Sequence, residues 1–239
     1  MIAHSVLVPA HNATADVRQQ LPGLFAALDL LGETYEIVLV DDGSRPAERA
    51  GLAALAREWP DVRLVQLDRR CGPSVAVAAG IAAAEGDIVV VIEAGSRYEP
   101  WQIGKLLAGL SRGDVVWGRR AWPAWLKWLR RIGRIPRWLL LGLEVRDPDC
   151  LLWAARREAV EDVQLSRGML RYLPTLVALA GYRVCECGVE TNRVAWRLPD
   201  EWPNPGDLLA TWWLKRRRRT CGTHEVAIEP AETLLRMSA

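Results

Sequence analysis

The chain has 239 residues, of which 50% are hydrophobic and 25% charged, with a formal net charge of +2. That balance excludes a disordered or strongly acidic protein and fits one large folded domain or two small ones. Cysteines at 71, 150, 185, 187 and 221, odd in number and irregularly spaced, exclude a disulfide framework and point to a reducing compartment.

Met1 leads directly into an apolar run at residues 5–8 with no basic leader, so no secretory signal is expected. That run and those at 36–40, 62–67 and 87–92 are short, rich in Val, Ile and Leu, and bounded by turn residues. They are expected to be buried parallel strands, with a fifth short strand at 115–117. Residues 16–31, 47–59 and 74–85, rich in Ala and Leu at helical spacing, alternate with them. Strand and helix in alternation predict an α/β fold, a mostly parallel sheet with helices on both faces.

Ligands of such sheets bind beyond the carboxyl ends of the strands. The first strand is followed there by Pro9, His11 and Asn12, and the second by Asp41, Asp42, Gly43 and Ser44. The third is followed by Asp68, Arg69, Arg70 and Gly72, the fourth by Glu93, Gly95, Ser96 and Arg97, the fifth by Gly118, Arg119 and Arg120. Any one of these loops reads as ordinary turn and cap residues. All five converging, with acid, amide and guanidinium groups, predict a site for a polar ligand that carries phosphate.

The pattern changes after residue 120. Trp125, Trp128, Leu129, Ile132 and Ile135 recur at helical spacing, Lys127, Arg130, Arg131 and Arg134 take the other side, and no acidic residue interrupts 119–143. Pro136 should kink or end this helix. Residues 121–143 are thus expected to form an interfacial amphipathic segment on a lipid headgroup layer. Residues 207–219, DLLATWWLKRRRR, repeat the theme with an apolar, Trp-bearing helix running into five cations. Each cation near anionic lipid contributes about 1 kcal/mol, enough together to hold a protein on a membrane. The apolar runs fall well short of the ~20 residues of a spanning helix, so a peripheral position is expected. No nucleic-acid recognition module is present, and nucleic acid is not expected as a partner.

Several of these segments together resemble family 2 glycosyltransferases, and more closely the polyprenyl-phosphate glycosyltransferases that include the dolichol-phosphate mannose synthases. The resemblance begins with Pro9-Ala10-His11-Asn12, Val40-Asp41-Asp42-Gly43-Ser44 and Asp68-Arg69-Arg70-Cys71-Gly72. It continues through Gly118-Arg119-Arg120, Leu139 to Leu143, Val145-Arg146-Asp147-Pro148-Asp149-Cys150, Arg167-Gly168-Met169-Leu170, Ala180 to Val184 and Leu209 to Lys215. It implies a GT-A (Rossmann-like) domain over 1–200, with a C-terminal helix, basic run and tail over 201–239. The implied activity moves a sugar from a nucleotide-diphosphate sugar to a polyprenyl-phosphate lipid, by an enzyme peripheral to the inner, cytoplasmic face of the membrane. The implied nucleotide-sugar site comprises Pro9, His11, Asn12, Asp41, Asp42, Arg69, Gly72 and Glu93, with Asp42 on the base or ribose. Arg119, Arg120, Arg130 and Arg131 are the implied partners of the acceptor phosphate. The candidate catalytic groups are Glu93, Arg97 and Asp149, the last either a reacting group or, as Asp commonly is, a structural carboxylate capping the nearby turn.

The chain also departs from that family. Where an Asp-x-Asp motif followed closely by Gln is usual, it reads Glu93-Ala94-Gly95 and then Arg97. Glu93 remains a weak candidate metal ligand, but Gly95 offers no side-chain oxygen to a hard cation. The expected cofactor is therefore none, or a weakly bound Mg²⁺ or Mn²⁺, with Arg97 as a fixed positive charge in its place. Pro73 follows Gly72 where Lys or Gln is common, and Leu152-Trp153 replaces the usual Phe-Lys/Arg pair. The alternative reading is a catalytically degenerate relative that binds nucleotide sugar or lipid, or scaffolds a partner.

Overall fold

The computed structural model describes residues 2–96, 98–121, 141–142, 145–190 and 205–218. In chain order the elements are β1 (His4–Ala10), α1 (Thr14–Asp29), β2 (Tyr35–Asp41), α2 (Pro46–Glu58), β3 (Val62–Gln66), α3 (Pro73–Ala83) and β4 (Ile88–Ile92). Then follow α4 (Gln102–Gly109), β5 (Val115–Arg120), β6 (Leu152–Arg156), the short α5 (Arg157–Val160), a 3-10 turn (Leu170–Tyr172), α6 (Leu173–Leu179), β7 (Val184–Val189) and α7 (Pro205–Arg218). The three helices expected in the first half form within two residues of their expected ends.

Among the described residues, one seven-stranded sheet runs β3-β2-β1-β4-β6-β5-β7. Of these strands only β6 is antiparallel, and it is so to both of its neighbours. The chain steps outward from β1 to β2 and β3 and then returns to place β4 on the other side of β1. That reversal opens a crevice at the carboxyl ends of β1 and β4.

Both faces of the sheet are covered, which is why its strands are apolar on both sides. On one face α3 approaches closely through Gly80, where a Cβ would lie 3.0 Å from a Leu7 methyl. On the other face α4 does the same through Gly109, whose Cβ would lie 3.0 Å from Val116. Trp117 and Trp153, fully buried partners in the β5–β6 register, stack at 5.4 Å on the α3 face. Pro73, one of the departures noted above, is the first residue of α3, where a missing N–H costs nothing.

The amino ends of the strands are closed by a polar network. The buried Glu36 carboxylate accepts the Ser5 hydroxyl at 2.6 Å and the Glu85 N–H at 2.7 Å, and pairs with Arg63 at 2.9 Å. Gly86 N–H in turn donates to Ser5 Oγ at 2.8 Å.

Candidate functional site

At the carboxyl edge of the sheet the first two loops are tied to each other. Asn12 takes a left-handed conformation, φ 51°, which Asn tolerates better than most residues. Its N–H donates to Ser44 Oγ at 2.9 Å, and its Oδ1 accepts the Arg45 N–H at 2.9 Å. His11 Nδ1 lies 2.8 Å from the Asp42 carbonyl, and Nε2 lies 3.0 Å from Asn12 Nδ2. A carbonyl can only accept, so this partner set puts the ring proton on Nδ1 and leaves Nε2 to accept. Pro9 contributes its carbonyl, which receives the Ala94 N–H at 3.0 Å and so joins the ends of β1 and β4.

Asp41 and Asp42 are both buried and play different parts. Asp41 accepts the Ser44 N–H at 2.9 Å and pairs with Arg49 at 3.2 Å, fixing the turn after β2 to α2. Asp42 reaches across to the third loop, accepting Cys71 N–H at 2.6 Å and Gly72 N–H at 2.9 Å. Both of its carboxylate oxygens are therefore engaged by loop amides. Gly43, φ 62°, permits the close approach of the two loops, because a Cβ there would lie 2.1 Å from the Arg69 carbonyl carbon. The Arg69 side chain is exposed, and Gly72, φ 96°, turns the chain into α3.

Glu93, half-buried, follows β4. Gly95 has φ 66°, and a Cβ on it would lie 2.7 Å from Asp16 Oδ2. The carboxylate beside position 95 thus comes from the first turn of α1, a feature that the sequence reading missed. One turn further along α1, Gln20 donates to the Glu93 carbonyl at 3.4 Å. Among the described residues no group of three or more His, Cys, Asp or Glu could hold a metal ion. The described donor set does not form an all-protein cage for a hard cation, which takes six or more oxygens.

The far side of the crevice is built by β5, β6 and the segment before β6. Arg119 and Arg120, consecutive on a strand, point to opposite faces. Arg120 forms a bidentate pair with the buried Asp147, Nε to Oδ2 at 2.6 Å and Nη2 to Oδ1 at 2.8 Å. Burial alone would lower the Arg120 pKa, but the Asp147 hydrogen bonds and charge outweigh it and raise the value further. The Asp147 carbonyl also accepts the Trp117 indole N–H at 3.0 Å. Cys150 is fully buried with its sulfur 3.4 Å from Tyr98 Oη, and burial pushes its thiol up to about 12. Because β6 runs antiparallel, Asp149 arrives at the same edge as Glu93 and Arg119. It pairs at 3.4 Å with Arg171, whose side chain is 9% exposed and which sequence reasoning did not single out. Trp153, standing where the resemblance places a cation, is instead a buried stacking residue.

The structure therefore gathers Pro9, His11, Asn12, Asp41, Asp42, Arg69, Gly72, Glu93, Arg119, Arg120 and Asp149 at one edge of the sheet. Arg97, Arg130 and Arg131 lie outside the described residues, as does nearly all of the 121–143 segment.

Residues 5–163 match the family model of glycosyl transferase family 2. A curated undecaprenyl-phosphate 4-deoxy-4-formamido-L-arabinose transferase of Pseudomonas aeruginosa is 34% identical over 190 residues, covering 77% of this chain and 56% of that protein. A dolichol-phosphate mannosyltransferase of Pyrococcus furiosus is 32% identical, covering 68% of this chain and 48% of that protein. The chain thus spans about half the length of the curated relatives it matches. Among solved structures, glucosyl-3-phosphoglycerate synthase of Mycobacterium tuberculosis, in complex with Mn²⁺, UDP-glucose and phosphoglyceric acid, aligns with a TM-score of 0.61. That alignment is 19% identical and covers 98% of this chain and 91% of the other. A Pyrobaculum calidifontis mannosyltransferase with GDP-mannose and Mn²⁺ aligns at 0.57 and 20% identity, covering 93% and 65% of the two chains. At those identities the likeness concerns the fold, which is the GT-A architecture expected from the sequence.

Proposed function

This chain belongs to glycosyl transferase family 2, and from that premise we propose that it moves a sugar from a nucleotide-diphosphate sugar to the phosphate of a polyprenyl lipid. The observation that carries the reading is the latch at one end of the crevice, where Asp42 holds the loop at 69–72 against the β1 and β2 loops. In this reading the loops at 9–12, 41–44 and 69–72 form the nucleotide pocket. Arg119, with Arg130 and Arg131 from the adjoining segment, receives the lipid phosphate. Guanidinium suits that task, since it binds phosphate bidentately and stays charged at working pH. The names of the two curated relatives, both polyprenyl-phosphate transferases, support the acceptor class.

A phosphate oxygen is already an anionic nucleophile, so the chemistry calls for no strong general base. Orientation of the two substrates and compensation of charge on the leaving diphosphate supply most of the rate. Asp149, paired with Arg171, fixes the chain before β6 rather than taking up a proton. Glu93 would hold a Mg²⁺ or Mn²⁺ ion only weakly, and Arg97 would supply a fixed positive charge to compensate the leaving diphosphate. The enzyme works from the cytoplasmic side, peripheral to the inner face of the membrane. No described helix is long and apolar enough to cross a membrane.

Titration calorimetry with UDP-glucose and GDP-mannose, with Mn²⁺ and with EDTA, tests the donor half. Binding of one donor that EDTA leaves unchanged is expected. Failure of both donors to bind under any metal condition would overturn the reading for these common donors. Gly95 in place of a carboxylate favours a second reading, a binding protein without turnover. Donor binding with no sugar transfer to undecaprenyl phosphate would select it.

A further inference from the structure

We propose that Tyr98 is a positioning residue for sugar transfer. Through the Cys150 sulfur it fixes the loop after β4, on the side of the leaving diphosphate, against the end of β5, which carries Arg119. This role rests on the transferase reading and deepens it.

The loop from Glu93 to Trp101 bridges two strand ends. At its start the Ala94 N–H donates to the Pro9 carbonyl at 3.0 Å, which joins it to β1. At its finish the fully buried Gln102 bonds both backbone groups of Glu190. Its Nε2 donates to the carbonyl at 2.5 Å, and its Oε1 accepts the N–H at 2.7 Å. Glu190 directly follows β7, so the loop reaches from β4 to β7 with β6 and β5 between them. At ordinary strand spacing that is roughly 14 Å. A loop pinned at both ends over such a span can still shift in its middle, and Tyr98 pins the middle.

Tyr98 is 8% exposed, and its hydroxyl lies 3.4 Å from Cys150 Sγ. The Cys150 thiol donates to the Leu152 carbonyl at 3.7 Å, and a carbonyl can only accept. The sulfur therefore accepts the Tyr98 O–H. Behind the sulfur there is no slack, because a Cβ on Gly118 would lie 2.9 Å from Cys150 Sγ and 2.2 Å from the Leu152 carbonyl oxygen. The Cys150 N–H donates to the Asp147 carbonyl at 3.2 Å, and the Asp147 carboxylate holds Arg120. Contact thus runs from the β4 loop, through one hydroxyl and one sulfur, to Gly118 and Arg120, the two neighbours of Arg119 in β5. Burial raises the Tyr98 hydroxyl above its ordinary range and pushes the Cys150 thiol up to about 12, so neither releases a proton near neutral pH. A protonated thiol is no nucleophile, and what the pair supplies is geometry. Two substrates on opposite sides of such a link react only if their atoms meet, and a misplacement of about 1 Å can cost about a hundredfold in rate.

Tyr98→Phe keeps the ring and leaves unpaired only a sulfur, a weak acceptor, so the full chain should melt at the wild-type temperature. Turnover with undecaprenyl phosphate and UDP-glucose or GDP-mannose should fall about tenfold in kcat, the orientation loss of a shift well under 1 Å. Both KM values should stay within about twofold of wild type, because neither substrate touches the hydroxyl. Cys150→Ser, which keeps a donor and an acceptor, should retain most of the rate. Adding Cys150→Ala to Tyr98→Phe should lower kcat no further than the worse single variant, as for two halves of one link. The pH–rate profile of Tyr98→Phe should keep its wild-type shape. Wild-type kcat in Tyr98→Phe overturns the proposal, as does a loss confined to KM or an additive double variant. A profile that loses one limb also overturns it, by making Tyr98 an acid in the reaction. A wild type that transfers sugar from neither donor overturns the transferase reading, and this role falls with it. An active wild type with an indifferent Tyr98→Phe overturns the role alone.

Discussion

Gly95 shows how a single position can be closed to an apparently simple reversion. Its φ of 66° is unfavourable for any residue with a Cβ, and the space a Cβ would need is taken by Asp16. Gly95→Asp restores the spelling of a two-carboxylate motif. It is nevertheless expected to lower the melting temperature by about 2–6 °C, from strain of about 1–2 kcal/mol, and to leave Mn²⁺ affinity unchanged. Scanning calorimetry with Mn²⁺ titration reads both, and a tighter metal site at unchanged stability would refute the argument. Asp42 is the opposite case, a side chain that several partners depend on. Asp42→Asn puts an N–H₂ or a neutral oxygen opposite the amides of Cys71 and Gly72, costing about 2–3 kcal/mol of charge-assisted hydrogen bonding. Donor affinity measured by calorimetry should fall roughly tenfold as the two loops separate. The sequence marked Asp42 and Gly72 because acids and glycines after strands are turn chemistry with recognisable spacing. It gave no hint of Asp16 or Arg171, since a contact between distant loops has no local signature.

At the scale of elements, the strands of the first half were legible because buried parallel strands are nearly continuous Val, Ile and Leu. β6 escaped notice for the same reason: LWAAR lacks β-branched residues, and its pairing with β4 and β5 is what makes it a strand. Arg120, an implied partner of the acceptor phosphate, also has a structural engagement that the sequence did not reveal: Asp147, 27 residues later, pairs with two of its guanidinium nitrogens. Removing one member of a buried pair strands the other without compensation. Asp147→Asn is therefore expected to destabilise the fold by about 3–5 kcal/mol in urea denaturation. An apolar pair of similar volume, Arg120→Met with Asp147→Leu, should recover most of that loss. A double variant no more stable than Asp147→Asn would show that the pair is not a closed structural unit.

For the molecule as a whole, stability and site chemistry are set at opposite edges of the sheet. Burial pushes the Glu36 carboxyl up, yet the Ser5 hydroxyl, the Glu85 amide and Arg63 together hold it below the usual value. A group with a lowered folded pKa binds its proton more readily when unfolded. Its contribution is complete above the unfolded pKa and is lost as pH falls through the folded one. Glu36→Gln should consequently flatten the loss of stability between about pH 5 and pH 3, with little effect on donor binding. Thermal melts across that range check the slope, and an unchanged slope would mean that other carboxylates dominate acid unfolding. The single reversed strand has a different consequence. Because β6 runs against β5, the chain leaves the sheet after Arg120 and re-enters at Leu152 on the same edge, and the Arg120–Asp147 clasp ties the neck of that excursion. A connection between parallel strands must travel the full height of the sheet. This one begins and ends at a single edge, so relatives could change its length without rethreading a single strand of the sheet.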